Sequence, residues 1–492
     1  MPCELYVPFH AMRLYHPLVI LRILNTILLI ETISFLICVP VAFIYKESVF
    51  PFIWSAVITL ILSTVFVIIS GKAEMNKFNN RDGYLIVSLG WILFSILGAL
   101  PYIISGEITT FVDAVFESTS GFSTTGSSIL TDVESLSYSM LFWRSLTHWI
   151  GGIGIIVMVI IILPSLRVSG YQLFTLESSL KEKIHPKTKA IGFRILFIYS
   201  GLTLTEIIFL SAGDMKLFDS ICHSFGTVAT GGFSTKNLSL MHYSSYSQYI
   251  VMIFMFLAGI SQVVYYYLFK LNIRKIKQND ELWFYMIVVI IAGAIVTMLL
   301  LSNSSKPFEV ALREGYFQTI SIITCTGFAS ADYLLWPAPA ITIIFLLMFS
   351  GGSTGSTSGG IKIARHLIVL KSIRMAIVKV THPNAISNVR FNGRILNEKT
   401  SIQIISFVVL YLFVFIIGSI LLVITGLDII TASSAAATCM AGIGPGLGSI
   451  GPMSNFAALP EISKIVLSAL MIIGRLEIIT VLIIFSKSFR KL

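Results

Sequence analysis

Four stretches of this 492-residue chain repeat one pattern: an acidic or hydroxyl residue, an apolar run, and a small-residue turn that ends in glycine. The copies are Asp113–Gly126, Asp219–Gly232, Glu314–Gly327 and Thr431–Gly444. Thirteen positions separate the first residue from the glycine in every copy. The residues before each glycine are small or hydroxylic, which lets four loops approach closely. Glycine also reaches the backbone angles needed to turn consecutive carbonyl groups to one side.

Backbone carbonyl oxygens can replace the water shell of a monovalent cation without a full counter-charge that would trap it. We therefore predict that the four loops surround one axis and line a selective cation pathway. The preceding apolar runs are predicted to be half-membrane helices whose negative C-terminal ends favour cations. With one key glycine in each loop, we expect a short oxygen ladder that prefers potassium but excludes sodium less strictly. For any single copy, a glycine turn between packed helices is the alternative.

The composition indicates a membrane protein. Hydrophobic residues make up 55% of the chain and charged residues only 12%, against about 25% in a soluble domain. We count roughly ten apolar runs of spanning length. The four repeat runs are too short and too polar to cross alone, as expected of re-entrant segments. The predicted fold is an all-α polytopic membrane protein with four parallel span–pore-helix–span modules around a pseudo-fourfold pore, preceded by two extra transmembrane helices.

The charge of +10 is explained by topology rather than by nucleic acid. With a cytosolic N-terminus, 26 of the 34 Lys and Arg residues fall in cytosolic segments. The same topology places all four glycine loops on the outer face. The outer segment 104–140 has no Lys or Arg and contains carboxylates. These predict an acidic vestibule that concentrates cations, unless the outer loops simply lack basic residues. The carboxylates are Glu107, Asp113, Glu117, Asp132 and Glu134.

The predicted organisation follows from the repeats. It comprises a cytosolic lead-in (1–17), two N-terminal transmembrane helices (18–82), and modules at 83–166, 167–279, 280–372 and 373–492. All four loops open to one side, which argues against an inverted-repeat carrier. The chain has no phosphate-binding loop, no metal-ligand spacing of its five cysteines and no convergent nucleophile–base set, so we expect neither an enzyme nor a bound cofactor.

A glycine- and hydroxyl-rich segment interrupts the second apolar run of the third module. Its ten residues carry no apolar side chain and predict a broken helix, because glycine, serine and threonine disfavour helix. Irregular backbone at membrane depth must be buried or line a watery cavity. We predict a gate at 350–361, just cytosolic of the loops; phosphate binding is the alternative. The gate residues are Gly351, Gly352, Ser353, Thr354, Gly355, Ser356, Thr357, Ser358, Gly359 and Gly360.

Charged residues inside spans need partners or a pathway. Arg475 is predicted to complete the gate by bonding loop carbonyls and opposing cations; a buried pair with Glu477 or another carboxylate is the alternative. Arg144, like the nearby His148, is predicted to be a structural anchor. Glu206 and Glu31 are assigned only to packing.

Five motifs in order resemble the bacterial Trk potassium-uptake subunits TrkH/TrkG of the Trk/Ktr/HKT superfamily. They are WRSLTHWIGGIGIIV (143–157), ATGGFST (229–235), GGSTGSTSGGIK (351–362), GPGLG (444–448) and IIGRLEI (472–478). The resemblance covers nearly the whole chain. In one departure, Ala441-Gly442 stands where many relatives carry Asn-Asn, which removes amide hydrogen bonds from the fourth loop and puts its ion discrimination in doubt.

The resemblance implies a homodimer with one pore per protomer, a cytosolic TrkA-type partner that binds NAD(H) or adenine nucleotides, and residence among the lipids of the bacterial inner membrane. The resemblance also assigns Arg475 to the gate. Its filter positions are Thr124, Thr125, Gly126, Thr230, Gly231, Gly232, Cys325, Thr326, Gly327, Gly442, Ile443 and Gly444. The potassium ligands among these are Thr125, Gly126, Thr230, Gly231, Thr326, Gly327, Ile443 and Gly444. The predicted function is gated potassium uptake; a sodium- or proton-coupled secondary transporter is the alternative.

Overall fold

The computed structural model describes residues 16–71, 79–157, 188–383 and 388–486. The predicted lead-in before residue 16 and the predicted boundary at 166–167 lie outside these residues. The fold is helical, as predicted. In chain order the helices are α1 (Pro17–Ile44), α2 (Phe50–Ser70), α3 (Asn80–Leu97), α4 (Leu100–Ser105), α5 (Phe111–Phe122), α6 (Tyr138–Val157), α7 (Thr188–Ser211), α8 (Leu217–Val228), α9 (Ser245–Ala258), α10 (Gln262–Phe269), α11 (Ile273–Lys277), α12 (Asp280–Asn303), α13 (Phe308–Ile323), α14 (Ala338–Leu347), α15 (Ile363–Thr381), α16 (Glu398–Ile424), α17 (Ile429–Ala441), α18 (Glu461–Arg475) and α19 (Ile478–Phe485). Short 3₁₀ turns lie at Tyr333–Leu335 and Gly448–Ile450.

Within the described ranges, six helical segments are long and apolar enough to cross a membrane, or up to eight if each of two sharply bent helix pairs is one span. The bent pairs are α9 with α10, at 93°, and α18 with α19, at 111°. These six to eight spans are fewer than the roughly ten predicted from the sequence. One reason is that apolar runs are interrupted, as between α14 and α15.

The two N-terminal helices form an antiparallel hairpin against the first module. α1 packs along α2 and also contacts α3 and α6. Polar side chains join the two helices of the hairpin: the hydroxyls of Thr32 and Thr59 lie 2.8 Å apart, and Ser63 donates to the Asn25 amide oxygen at 2.6 Å. In an apolar surrounding such bonds satisfy groups that would otherwise be costly to bury. The hairpin is therefore held to a fixed register beside α3 and α6.

The four apolar runs of the sequence repeats form short helices, here called the repeat helices: α5, α8, α13 and α17. Their 12 to 16 residues span roughly 18–24 Å, less than the ~30 Å of a bilayer core. Each packs against a helix of its own module. Three also contact the second long helix of a neighbouring module: α5 with α18, α8 with α6, and α13 with α9. These three contacts join the first repeat unit to the fourth, the second to the first and the third to the second.

The described part of the chain contains one β-hairpin, Arg390–Phe391 paired with Arg394–Ile395. Asn392 and Gly393 both have positive φ, as a tight two-residue hairpin turn requires. Asn392 also accepts a hydrogen bond from the Asp280 N–H at 2.8 Å, which ties the hairpin to the start of α12.

Candidate functional site

Each repeat helix ends in the same backbone turn. The residue two positions before the glycine is left-handed in all four copies: Thr124, Thr230, Cys325 and Gly442, with φ between 52° and 72°. The next residue donates its N–H to the carbonyl five positions earlier, at 2.8–3.0 Å. This is the longer bond of a Schellman cap, and it satisfies a carbonyl that the helix end would otherwise leave free. The glycine itself is left-handed again, with φ between 79° and 100°.

Three of these caps carry backbone strain. A left-handed conformation costs a residue with a Cβ about 1–2 kcal/mol, and Thr124 and Thr230 are β-branched. Such strain persists only where the surroundings fix the conformation, which is typical of functional sites. The fourth loop has Gly442 at this position, so it adopts the same turn without the penalty. The departure noted at Ala441-Gly442 therefore has a backbone role in this loop.

The four glycine loops, defined as 123–126, 229–232, 324–327 and 441–444, form a closed ring. A Cβ added at any of the first three glycines would overlap a carbonyl oxygen of the next loop, and one added at Gly444 would lie 2.9 Å from such an oxygen. The contacts pair Gly126 with Gly231, Gly232 with Thr326, Gly327 with Ile443, and Gly444 with Thr125. The sequence of contacts runs through loops one to four and returns to the first. All twelve residues predicted for the filter lie in this ring.

A cavity of about 170 Å³ opens on one side of the ring and is lined by all four glycines. Among the described residues its lining includes Arg144 and Lys236 but no carboxylate. The carboxylates predicted to form an acidic vestibule therefore do not line this cavity. Two of them pair with the cations that do: Glu117 with Arg144 at 2.9 Å and Glu134 with Lys236 at 3.2 Å.

Polar side chains of the repeat helices hold the chain that follows each glycine, here called the return segment. Glu117, His223 and Gln318 stand nine positions before their glycines. They contact the Ile129 N–H at 3.0 Å, the Ser234 hydroxyl at 2.9 Å and the Ala331 carbonyl at 3.1 Å, respectively. In the fourth copy Ser434, ten positions before its glycine, accepts from the Leu447 N–H at 2.9 Å. The sequence analysis missed this role, although the recurring spacing could have indicated it.

Arg144 is the anchor that the sequence predicted. Its Nε donates to Glu117 at 2.9 Å and its Nη1 to the Ser234 carbonyl at 3.2 Å. Its guanidinium lies 4.0 Å from the centre of the Phe233 ring. Both charged side chains are buried, so each compensates the other. The pair thereby joins the first repeat helix to the second return segment. His148 stacks on the same Phe233 ring, and the two ring centres are 4.1 Å apart.

The N-terminal end of the fourth repeat helix is capped by Asp428. Its carboxylate accepts the Thr431 N–H at 3.0 Å. Hydrogen bonds from the Thr431 side chain and backbone hold the pKa of the Asp428 carboxyl below its usual value. A negative charge at this helix N-terminus also complements the helix dipole.

The segment predicted to break a helix does so. α14 ends at Leu347, α15 begins at Ile363, and the chain between them is not helical. The residues 351–360, here called the intramembrane loop, are folded on themselves: Gly351 donates to the Ile361 carbonyl at 2.8 Å, and Gly352 to the Ser358 hydroxyl at 2.9 Å.

The intramembrane loop lies against the C-terminal ends of three repeat helices. Thr357 donates to the Val228 carbonyl at 3.0 Å, and a Cβ at Gly359 would overlap the Ala441 carbonyl. The Cys325 thiol lies 3.7 Å from the carbonyl of Ser350, the residue just before the loop. The loop contributes nothing to the lining of the 170 Å³ cavity. It is thus placed at the helix-end side of the ring.

Arg475 reaches the intramembrane loop as predicted. Its Nη1 donates to the Thr357 carbonyl at 2.8 Å, and the side chain is buried. The alternative pairing with Glu477 is not formed, because Glu477 accepts from Arg365 at 2.5 Å. Glu281, which the sequence analysis did not single out, anchors the loop from another side. Its buried carboxylate accepts the Thr354 N–H at 2.5 Å.

Two further helix breaks meet the same loop and were missed by the sequence analysis. At the bend between α9 and α10, the Gly259 carbonyl accepts from the Ser353 N–H at 2.8 Å, and the Gln262 N–H donates to the Gly355 carbonyl at 3.4 Å. At the bend between α18 and α19, Glu477 has a φ of 61°. The loop thus satisfies backbone groups at the first break, and it contacts the second break through the Arg475 side chain.

A family model described as TrkH, cation transport protein, matches residues 51–491. The chain belongs to the TrkH family. Relatives within it include the Trk system potassium uptake protein TrkI of Halomonas elongata, 35% identical over 82% of this chain and 83% of the relative. The Trk system potassium uptake protein TrkG of Escherichia coli (strain K12) is 31% identical over 97% of this chain and 99% of the relative.

A solved structure shows the same family fold. The crystal structure of the potassium transporter TrkH from Vibrio parahaemolyticus superimposes with a TM-score of 0.88. It is 28% identical and covers 96% of this chain and 100% of the other. The chain is therefore a multi-pass membrane transporter of the TrkH family, and the resemblance inferred from its five motifs is confirmed.

Proposed function

We propose that this protein takes up potassium through a pore whose narrowest part is the ring of glycine loops. The observation that carries the proposal is the closed cycle of contacts between each glycine and a carbonyl of the adjacent loop. Such a cycle supplies several oxygens at one level around one axis, which is what a cation needs in exchange for its water shell. The potassium ligands are the eight residues predicted from the sequence. Support also comes from the relatives, which are named as potassium uptake proteins.

The intramembrane loop is the proposed gate. It lies beneath the helix ends that surround the ring, and its two anchors differ in charge: Arg475 bonds the Thr357 carbonyl and Glu281 bonds the Thr354 N–H. An arginine at this level raises the energy of a cation in the same passage. Displacing the loop would remove both the obstruction and its hydrogen bonds. The four predicted modules, with the boundaries given above, are the units that surround the passage.

The resemblance to the Trk subunits supports further proposals on assembly, location and partner. We propose a homodimer in the bacterial inner membrane with a cytosolic N-terminus, and a cytosolic TrkA-type subunit binding NAD(H) or adenine nucleotides that controls the loop. Potassium-dependent growth of a transport-deficient host, with and without such a subunit, tests the partner. Growth rescue that is independent of the subunit under every nucleotide condition would contradict this part.

The test of the transport proposal is tracer flux into vesicles containing the purified protein. Rubidium and potassium should enter down their gradients without a co-substrate, and excess potassium should compete better than sodium. Uptake that requires a sodium or proton gradient would instead support the secondary transporter that the sequence left as an alternative.

A further inference from the structure

A basic, aromatic groove lies between α7 and α10, away from the ring. Its cavity has a volume of about 380 Å³. The lining residues that matter are Phe193, Arg194, Phe197, Tyr266, Phe269 and Lys270. We call these six residues the basic groove.

Two cations converge on one ring in this groove. The Arg194 guanidinium carbon lies 5.5 Å, and the Lys270 ammonium 5.1 Å, from the centre of the Tyr266 ring. Within the described part of the chain, neither cation forms a salt bridge. The aromatic face attracts both cations but does not neutralise them. The groove therefore presents two neighbouring positive charges that an anion can bind.

The rest of the groove is apolar and faces outward. Phe193, Phe197 and Phe269 are each at least 70% exposed. On the opposite faces of the same helices, Tyr199 and Tyr267 are buried in a shared cluster. The groove thus offers an anion site and an exposed hydrocarbon surface side by side on the perimeter of a membrane protein.

We propose that the basic groove binds an anionic phospholipid, with the phosphate on Arg194 and Lys270 and an acyl chain along the phenylalanines. A free phosphate ion would use only the cations and leave the apolar wall unused, so the combination favours lipid. Basic pockets between helices on the cytosolic side suit acidic headgroups. The charge distribution of the sequence places both cations on that side.

The groove is connected to the intramembrane loop through α10. Gln262, at the start of this eight-residue helix, donates to Gly355, and Phe269, at its end, lines the groove. The helix is only about 12 Å long. A lipid that fixes its far end therefore favours one arrangement of the loop contacts. The lipid should therefore change the stability of the intramembrane loop, and this change can be measured without a transport assay.

Lipid retention tests the site. The full-length protein is purified in detergent, equilibrated with equal amounts of phosphatidylglycerol and phosphatidylcholine, and its retained lipid is quantified by mass spectrometry. Arg194→Gln/Lys270→Gln should lower the preference for phosphatidylglycerol about 30-fold, since each basic residue contributes about fivefold near an acidic headgroup. The control Arg374→Gln/Lys379→Gln removes two exposed basic residues of α15 and should leave the preference unchanged.

Three outcomes would overturn the proposal. The groove variant and the control could retain phosphatidylglycerol equally. Inorganic phosphate alone could displace the lipid completely, which would indicate a phosphate site. The groove variant could change only the proportion of dimer, which would indicate a contact between protomers.

Hydrogen exchange tests the connection to the loop. Phosphatidylglycerol should slow amide exchange in residues 348–362 about threefold or more in the wild type, because a ligand stabilises the arrangement that it binds. It should have no such effect in Arg194→Gln/Lys270→Gln. Equal slowing in both proteins would refute the connection. Because neither assay measures cation flux, both results stand even if the proposed transport function fails.

Discussion

Replacing Gly232 or Gly327 by serine should damage the ring at one identifiable contact. A Cβ at Gly232 would overlap the Thr326 carbonyl oxygen, and one at Gly327 would overlap the Ile443 carbonyl oxygen. The obstacle is backbone of the adjacent loop, which cannot rotate away as a flexible side chain can. That carbonyl would have to move by roughly 1.5 Å or more to reach van der Waals contact.

Two costs arise from this substitution, and they can be separated. The first is the backbone cost of a left-handed residue with a Cβ, about 1–2 kcal/mol, which lowers stability. The second is the displacement of one carbonyl of the ring, which weakens potassium coordination. We expect the second cost to reduce potassium-over-sodium discrimination at least tenfold, or about 1.4 kcal/mol.

Gly106→Ser is the matched control. Gly106 has a φ of 77°, close to the 79° and 81° of Gly232 and Gly327, but an added Cβ would meet no atom within 4 Å. It therefore carries the backbone cost without the carbonyl displacement. Gly444→Ser should be intermediate, because its added Cβ would lie 2.9 Å from the nearest carbonyl oxygen.

The assay is rubidium influx into vesicles in competition with sodium, using protein that elutes as a single species. The expected order of lost discrimination is Gly327→Ser and Gly232→Ser first, then Gly444→Ser, then Gly106→Ser. The reasoning is refuted if Gly232→Ser and Gly327→Ser discriminate as the wild type does, or if Gly106→Ser loses as much discrimination as they do.

Three further predictions concern the anchors of the ring and loop. Arg475→Ala should raise rubidium flux severalfold, because it removes a positive charge and the bond to Thr357; equal or lower flux in well-expressed protein would contradict the gating role. Glu281→Ala should accelerate hydrogen exchange of the intramembrane loop, because a hydrogen bond to a charged group contributes about 1.5–3 kcal/mol. Glu281→Gln should have an intermediate effect. Unchanged exchange in both variants would exclude this anchor. Arg144→Gln should lower the free energy of unfolding by about 3–5 kcal/mol, because it leaves the Glu117 carboxylate buried without its cation. In thermal denaturation, the double variant that also carries Glu117→Gln should regain part of the lost stability. Stability losses that simply add in the double variant would contradict the pairing.

The sequence predicted the ring because its signal is periodic. Four glycines in one register, each after an apolar run, indicate a repeated helix–turn unit whatever the packing around it. The strained caps were not predictable, because Thr124 and Thr230 have side chains that ordinarily avoid left-handed backbone. Only the neighbouring loops, which fix the turn, reveal why these residues adopt it.

The intramembrane loop was predictable and its partners were not. Ten residues without an apolar side chain in a hydrophobic run predict a break from local propensity alone. The bends after Ala258 and Arg475 lie in apolar sequence, so hydropathy treats each bent pair as one span. Both bends contact the loop, the first through its backbone and the second through Arg475, and these contacts are distant in sequence.

Charges were the least predictable part of the site. Counting carboxylates in the segment 104–140 indicated an acidic vestibule, but a count does not show which cation approaches each one. Glu117 pairs with Arg144 of the next helix, and Glu134 pairs with Lys236, which follows the second glycine loop. Likewise, Glu477 is two positions from Arg475 but pairs with Arg365 of α15.

Anomalous diffraction from crystals grown in rubidium would test the ring most directly. We predict a rubidium peak on the axis surrounded by the carbonyl oxygens of Thr125, Gly231, Thr326 and Ile443, replaced by weaker density when sodium is the only monovalent cation. Rubidium density confined to the surface, with none within the ring, would contradict the account.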